Sequence, residues 1–294
     1  MKRFTLIVSS LIACSPAVAL GDGDSRVVDC ARGQSIAEAL EKGGSGRPLS
    51  VVVRGECREG VVISRDDVAL VGDGGAIIGS LTIAGAHRVV VADLKISNPA
   101  GDGVLVTDNA SATIRNNEIN DSSGYGIRVR NASFAQVDEN KMLRNGIINN
   151  TDIDASGISV SQGSTVRAIH NEIAENANTG VEVFEGGLYR SELDTISQRA
   201  SAPGRSAIDT FRRGHVELRG ATVSGAVFVN QQSHFQARTQ GDLGSVSGRI
   251  DVAGLAFFRL RAGVTRHAST LSCNALSICQ CDGLPGNICP PVVP

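Results

Sequence analysis

Between residues 87 and 233 short apolar runs alternate with polar positions, and Gly, Asn and Ser separate the runs at a recurring spacing. One column of half-units reads Asn117-Glu118-Ile119, Asn140-Lys141-Met142, Asn171-Glu172-Ile173 and Asp194-Thr195-Ile196, with Leu94-Lys95-Ile96 as a weaker first copy. Its steps are 23, 23, 31 and 23 residues. A second column, Gly103-Val104-Leu105-Val106, Gly126-Ile127-Arg128-Val129, Gly157-Ile158-Ser159-Val160 and Gly180-Val181-Glu182-Val183, advances by 23, 31 and 23. Two columns that share a period and the same eight-residue excess mark a solenoid built from repeated supersecondary units. Each apolar run is too short for a helical repeat, so the units read as strands joined by turns.

Further strands are predicted at Leu49 to Val53, Val61 to Ile63, Val68 to Val71, Ala76 to Ile78, Leu81 to Ile83 and Val89 to Val91, where the spacing is looser. After Asp194 it loosens again, with Ala221-Thr222-Val223 and Ala207-Ile208-Asp209-Thr210 each following by 27, and strands near Phe235, Gly248 and Ala256 extend the coil. No apolar residue recurs every six positions and no leucine-rich frame is present, which excludes the left-handed hexapeptide helix and the leucine-rich repeat. A coil of about 22 residues with three short strands predicts an all-β, single-stranded right-handed parallel β-helix of about nine to ten rungs, the hand that parallel crossovers prefer. The Asn-x-Ile and Gly-Ile-x-Val columns resemble the repeat of the pectate-lyase-like β-helix superfamily over Val51 to Leu260. That resemblance implies that Asn117, Asn140 and Asn171 sit in sharp turns and stack into an inward ladder. Such scaffolds host many functions, so the repeat speaks to fold and not to activity.

The ends read differently. Lys2-Arg3, an apolar run and small residues predict a secretory leader over 1–19, or 1–13 if Leu11-Ile12-Ala13-Cys14 is a lipobox that makes Cys14 a lipid anchor. The expectation is export from a bacterial cytoplasm, to a periplasmic, secreted or outer-membrane lipoprotein location, with no transmembrane segment in the mature chain. Residues 20–48 read as a linker and capping helix: Ser35 and Glu38 form a capping box, and Ile36, Ala39 and Leu40 recur at helical spacing up to about Lys42. The helix is placed as a lid on the first rung, because a solenoid's terminal repeat exposes an apolar end. The coil is assigned to 49–262 and a Cys- and Pro-rich C-terminal cap to 263–294. Six cysteines beyond the leader favour disulfides in an exported chain, Cys30 with Cys57 and the last four within the tail, against a four-cysteine metal site at the tail.

Composition narrows the partner. Net charge is −2, with no basic block and few stacking aromatics, which argues against nucleic acid. There are 24 Arg against four Lys, and Arg forks onto carboxylates, so Arg128, Arg130, Arg190, Arg212 and Arg213 suit an acidic glycan. Alternation along parallel rungs sends Ile127, Val129, Ile158, Val160, Val181 and Val183 inward and a column Leu105, Arg128, Ser159, Glu182, Asp209 outward. The last step takes Ala207 opposite Gly180, since the other register would bury Asp209 unpaired. Adjacent carboxylates at Glu182 and Asp209 are predicted to repel, giving an acid beside a base, or to share a Ca²⁺ ion. Enzymes of the resembled superfamily combine carboxylates, Arg and at times Ca²⁺ on one strand face, which implies catalytic roles for Glu182, Asp209 and Arg128.

A second candidate lies in the eight-residue excess after Asn140. There Asn150-Thr151-Asp152 and Asp154 resemble the start of the polygalacturonase motif, whose remaining elements are missing. His87, His170, His215 and His234 show no ligand spacing in the sequence. Two functions follow as expectations. One is an exported protein that binds, and cleaves or remodels, an anionic uronate-type polysaccharide, lyase-like before hydrolase-like. The other is a non-catalytic structural or adhesion protein of the bacterial envelope, on which the outward column is merely a solvated strand face.

Overall fold

The computed structural model describes residues 23–44, 46–146, 155–198, 205–240, 244–261, 263–267 and 271–282. The proposed leader, Cys14, Asp152 and Asp154 lie outside them. No helix among the described residues is long and apolar enough to cross a membrane.

The chain winds into a right-handed parallel solenoid of about ten turns with three walls. The first wall begins at Asp24–Asp29 and passes through Ser111–Arg115, Phe134–Asp138, Thr165–Ile169, Leu188–Glu192, His215–Arg219 and His234–Arg238 to Ile278–Cys281. The second wall carries Glu118–Asn120, Lys141–Leu143, Glu172–Ala174 and Thr195–Ser197 in register. The third carries Val104–Thr107, Ile127–Val129, Ser156–Val160, Thr179–Val183, Ser206–Thr210 and Val227–Val229. Every strand pairing among the described residues is parallel, and both columns found in the sequence are register columns of this coil.

Strand alternation fills the interior. Ile119, Met142, Ile173 and Ile196 from the second wall meet Ile127, Ile158, Val181 and Ile208 from the third, all fully buried. From the first wall Val166, Tyr189, Val216, Phe235 and Phe258 complete the core, with the Phe235 and Phe258 rings stacked at 5.2 Å. Removing these side chains from water is the dominant favourable contribution to the fold, roughly 1.5–3 kcal/mol for each large one.

The corner between the first and second walls explains the Asn column. A residue with positive φ comes first (Asn116 54°, Glu139 57°, His170 55°, Leu193 60°), and the next side chain turns inward. Asn117 Oδ1 accepts from Leu94 N, and Asn140 Oδ1 accepts from both N and Nδ2 of Asn117 at 3.0 and 2.9 Å. Asn171 repeats this toward Asn140, and Asp194 ends the ladder by accepting from Asn171 N and Nδ2 and from Tyr189 Oη. Each buried corner amide thereby finds a partner, as a dry interior requires. A second ladder at the corner between the second and third walls was not read from the sequence: Asn98 N donates to Ser122 Oγ, Ser122 N to Asn145 Oδ1 and Asn145 N to Asn176 Oδ1. Its signal was there, since Asn145 to Asn176 is the same step of 31.

The ends depart from expectation in three respects. Asp24–Asp29, read as linker, is a strand paired with Leu49–Arg54, so the coil starts earlier. The helix spans Ile36–Glu41 and buries Ile36, Ala39 and Leu40, and Ser35 accepts from Glu38 N as predicted. The return half of the capping box is absent: Glu38 pairs with Lys42, and Glu59 takes its place by accepting from Ile36 N and Ser35 Oγ. At the other end the coil runs on through Leu271–Cys273 and Ile278–Cys281, so residues assigned to a separate cap form its last turn. Cys30 bonds to Cys57 and Cys273 to Cys279, and Cys281 is also disulfide-bonded, which removes these five from a thiolate metal site. Cross-links at both termini restrict the chain where a solenoid frays.

Candidate functional site

Backbone pairing sets Leu105, Arg128, Ser159, Glu182 and Asp209 side by side on the third wall, in the register expected, with Ala207 opposite Gly180. Neighbouring rungs of a parallel sheet lie about 4.8 Å apart, so Arg128 stands about 10 Å from Glu182 and Asp209 follows one rung beyond. Glycine at the head of these strands is a packing requirement: a Cβ on Gly157 would meet Ile173 Cγ2 at 2.5 Å and Asn176 Nδ2 at 2.6 Å. The second amide ladder therefore fixes where each strand of this wall starts.

The wall is not the open face that alternation suggests. Ser156–Val160 and Thr179–Val183 are buried at every position, and Glu182 is only 4% exposed. Ser159 Oγ donates to Glu182 Oε2 at 3.5 Å. Asp209 is partly exposed, its Oδ1 is buried without a hydrogen-bond partner, and burial pushes its carboxyl up to about 6. The raised proton affinity of Asp209 follows from loss of solvent around its carboxyl.

Arg128 turns away from the carboxylates. Its guanidinium lies over the Tyr125 ring at 4.8 Å and 3.8 Å from Asp102 Oδ2. Asp102, a corner residue outside both repeat columns, itself accepts from Tyr125 N. The five arginines expected to act together are also dispersed. Arg190 is on the first wall, paired with Glu217, while Arg212 and Arg213 sit in the turn between the third and first walls. That turn carries a groove of about 760 Å³ lined by Arg212, Arg213, Leu255 and Leu276. Beside the carboxylates, Phe184 and Phe211 stack in parallel at 5.0 Å, half-exposed, and Arg212 approaches the Phe211 ring. Tyr189, named with them from the sequence, is instead wholly buried in the core.

For a divalent cation the donors available are the Glu182 and Asp209 carboxylates and the Ser159 hydroxyl. The unpartnered Asp209 Oδ1 suits a hard cation, and the remaining oxygens of a six- to eight-coordinate Ca²⁺ would come from water and a ligand. Among the described residues the one cluster of three potential metal-binding side chains is Cys30, Cys57 and Glu59, whose cysteines are joined in a disulfide.

A three-walled parallel coil with amide ladders and a polar column on one wall defines a right-handed β-helix protein. Residues 79–236, more than half the chain, match the right handed beta helix region family, and the chain belongs to it. No curated protein matches the sequence. Among solved structures, pectate lyase Pel9A is similar over 84% of this chain and 79% of its own, with TM-score 0.54 and 11% identity. An alginate lyase from a Paenibacillus species aligns over 84% and 99% of the two chains at TM-score 0.47 and 12% identity. A pectate lyase from a Bacillus species, in complex with trigalacturonate, aligns over 70% and 83% at TM-score 0.46 and 13% identity. Identities this low establish a shared fold alone.

Proposed function

We propose that this chain is an exported protein that binds an anionic, uronate-type polysaccharide along the third wall and cleaves it by β-elimination. The observation that carries the reading is the register pairing of Glu182 with Asp209, an acid buried enough to hold its proton up to about pH 6. A base whose affinity for a proton lies near working pH is the effective one, so Asp209 is assigned proton abstraction beside a uronate carboxylate. Glu182, with Ser159, positions the chain and offers a carboxylate to a cation that would neutralise the enolate. A bound Ca²⁺ would supply that positive charge. Arg128, held by Asp102 and Tyr125, engages a carboxylate further along the polymer. Export is supported by the leader-like sequence and by the disulfides, which persist in oxidising compartments.

The burial of Glu182 favours a second reading, a non-catalytic envelope protein in which the column merely packs. One assay separates them: absorbance near 235 nm from unsaturated product, over polygalacturonate and alginate, with and without a chelator. Product formation that Glu182→Gln abolishes supports the enzyme. No product on any polyuronate, with Ca²⁺ present, removes it and leaves the structural reading.

A further inference from the structure

Charge is unevenly spread along the coil. Residues 205–266 carry nine Arg against four carboxylates, in a chain whose net charge is −2, so the rest of the molecule is acidic. On the first wall this excess becomes a pattern. The outward column that holds Asp138, Ile169 and Glu192 in the middle rungs continues as Arg219 and Arg238 in direct register. Arg261 extends it by one rung, since its amide donates to Ala237 O. All three side chains are exposed. The carboxylates on this part of the wall are already engaged, Glu192 by Arg219, Glu217 by Arg190 and Asp282 by Arg259. Among the described residues Arg238 and Arg261 have no ion pair, although like charges one rung apart repel.

About 13 Å across the same strands runs a second stack. His215, His234 and Phe257 are in register, with ring centroids 4.3 and 4.6 Å apart. His215 Nε2 is buried 3.1 Å from Glu217 Oε1 without hydrogen-bond geometry, so that nitrogen is closed to an outside ligand and the stack contributes through its rings. Between the stacks lies Gln236, partly exposed, with an amide that can donate and accept.

We infer that the C-terminal rungs of the first wall, through Arg219, Arg238 and Arg261 with His215, His234 and Phe257, form a second binding surface that takes an anionic glycan chain. The guanidinium column meets the acidic groups, and the ring stack with Gln236 meets the sugar hydroxyls and apolar edges. The acidic remainder of the coil repels a polyanion laid along its whole length, so the chain crosses these rungs and does not follow the axis. This surface faces away from the Glu182 and Asp209 column. It shares with the proposed function only the anionic character of the ligand.

The test is retention of the full chain in affinity electrophoresis through gels holding polygalacturonate, dextran sulfate or neutral dextran, across a salt series. Wild type is expected to be retarded by polygalacturonate, and Arg219→Gln/Arg238→Gln/Arg261→Gln to lose at least tenfold in affinity with a flatter salt dependence. Arg144→Gln, an exposed arginine elsewhere, should match wild type. If the triple variant misfolds by circular dichroism, Arg238→Gln alone should still lose about threefold. Polygalacturonate retention unchanged by these substitutions overturns the surface and leaves the proposed function standing. Retention by dextran sulfate alone, lost in the triple variant, upholds the surface and removes the uronate reading. Binding of duplex DNA as tightly as either glycan, with the same sensitivity, overturns the glycan assignment.

Discussion

The outer faces of the third and first walls belong to one coil and one repeat, yet they behave as different materials. On the third wall Ser156–Val160 and Thr179–Val183 are buried on both sides, and the polar column sits where solvent is scarce. On the first wall Thr165–Ile169 and Leu188–Glu192 alternate buried and accessible residues, and charges stand in water beside their counter-ions. Ionisable groups acquire unusual chemistry where the wall strips them of water. Glu217 and Arg190 form an ordinary exposed pair, whereas Asp209, with one oxygen dry and unpartnered, has its proton affinity raised. A wall that removes water from its polar groups is suited to chemistry, and one that leaves them hydrated is suited to adhesion.

The largest effect expected from this contrast is on turnover. Glu182→Gln should lower product formation by about a thousandfold, the range for loss of a group acting in the transition state, while Arg238→Gln changes apparent affinity and leaves the maximal rate alone. Initial rates at 235 nm over a substrate series decide it; equal effects on both walls would show that the two faces do not differ in chemistry. Next in size is the tightness of the third wall. Gly157→Ala should cost about 3 kcal/mol in urea unfolding, because the new methyl meets Ile173, Asn176 and the Gly180 carbonyl at once.

Asp209→Asn should do the opposite. The native carboxyl titrates near 6 and the unfolded one near 3.8, so between those values the folded chain holds a proton that the unfolded chain releases. Wild-type stability therefore falls as pH rises from about 4 to 6 and stays lower above it. The variant, with nothing to ionise, should be about 2 kcal/mol more stable than wild type at pH 8 and equal to it at pH 3.5, after allowing for the partial exposure of the side chain. A variant less stable than wild type at pH 8 would refute the burial argument. Smallest is Arg190→Gln on the first wall, expected to change stability by less than about 0.5 kcal/mol because exposed pairs contribute little.

Much of this architecture was legible in the repeat. Asn117, Asn140 and Asn171 marked one corner and Gly126, Gly157 and Gly180 another. Strand alternation then placed Arg128, Ser159, Glu182 and Asp209 on one wall in the right order. What the period could not carry was anything decided across the coil. Burial of Glu182 depends on more than its own strand, and Arg128 is captured by Asp102 from a neighbouring corner, 26 residues earlier in the chain. The His215 and His234 stack escaped because 19 residues separate them, a step outside the main period that only the register reveals. Asp24–Asp29 was missed for want of alternation, since it buries Val28 alone.

The proton on Asp209 is the quantity on which the third-wall account turns. Following its side-chain carboxyl carbon by NMR through a pH titration, with and without trigalacturonate, measures it directly. A midpoint near 6 is expected in the free protein, moving upward when the anionic oligosaccharide is added; a midpoint near 4, indifferent to the sugar, would overturn the role given to Asp209.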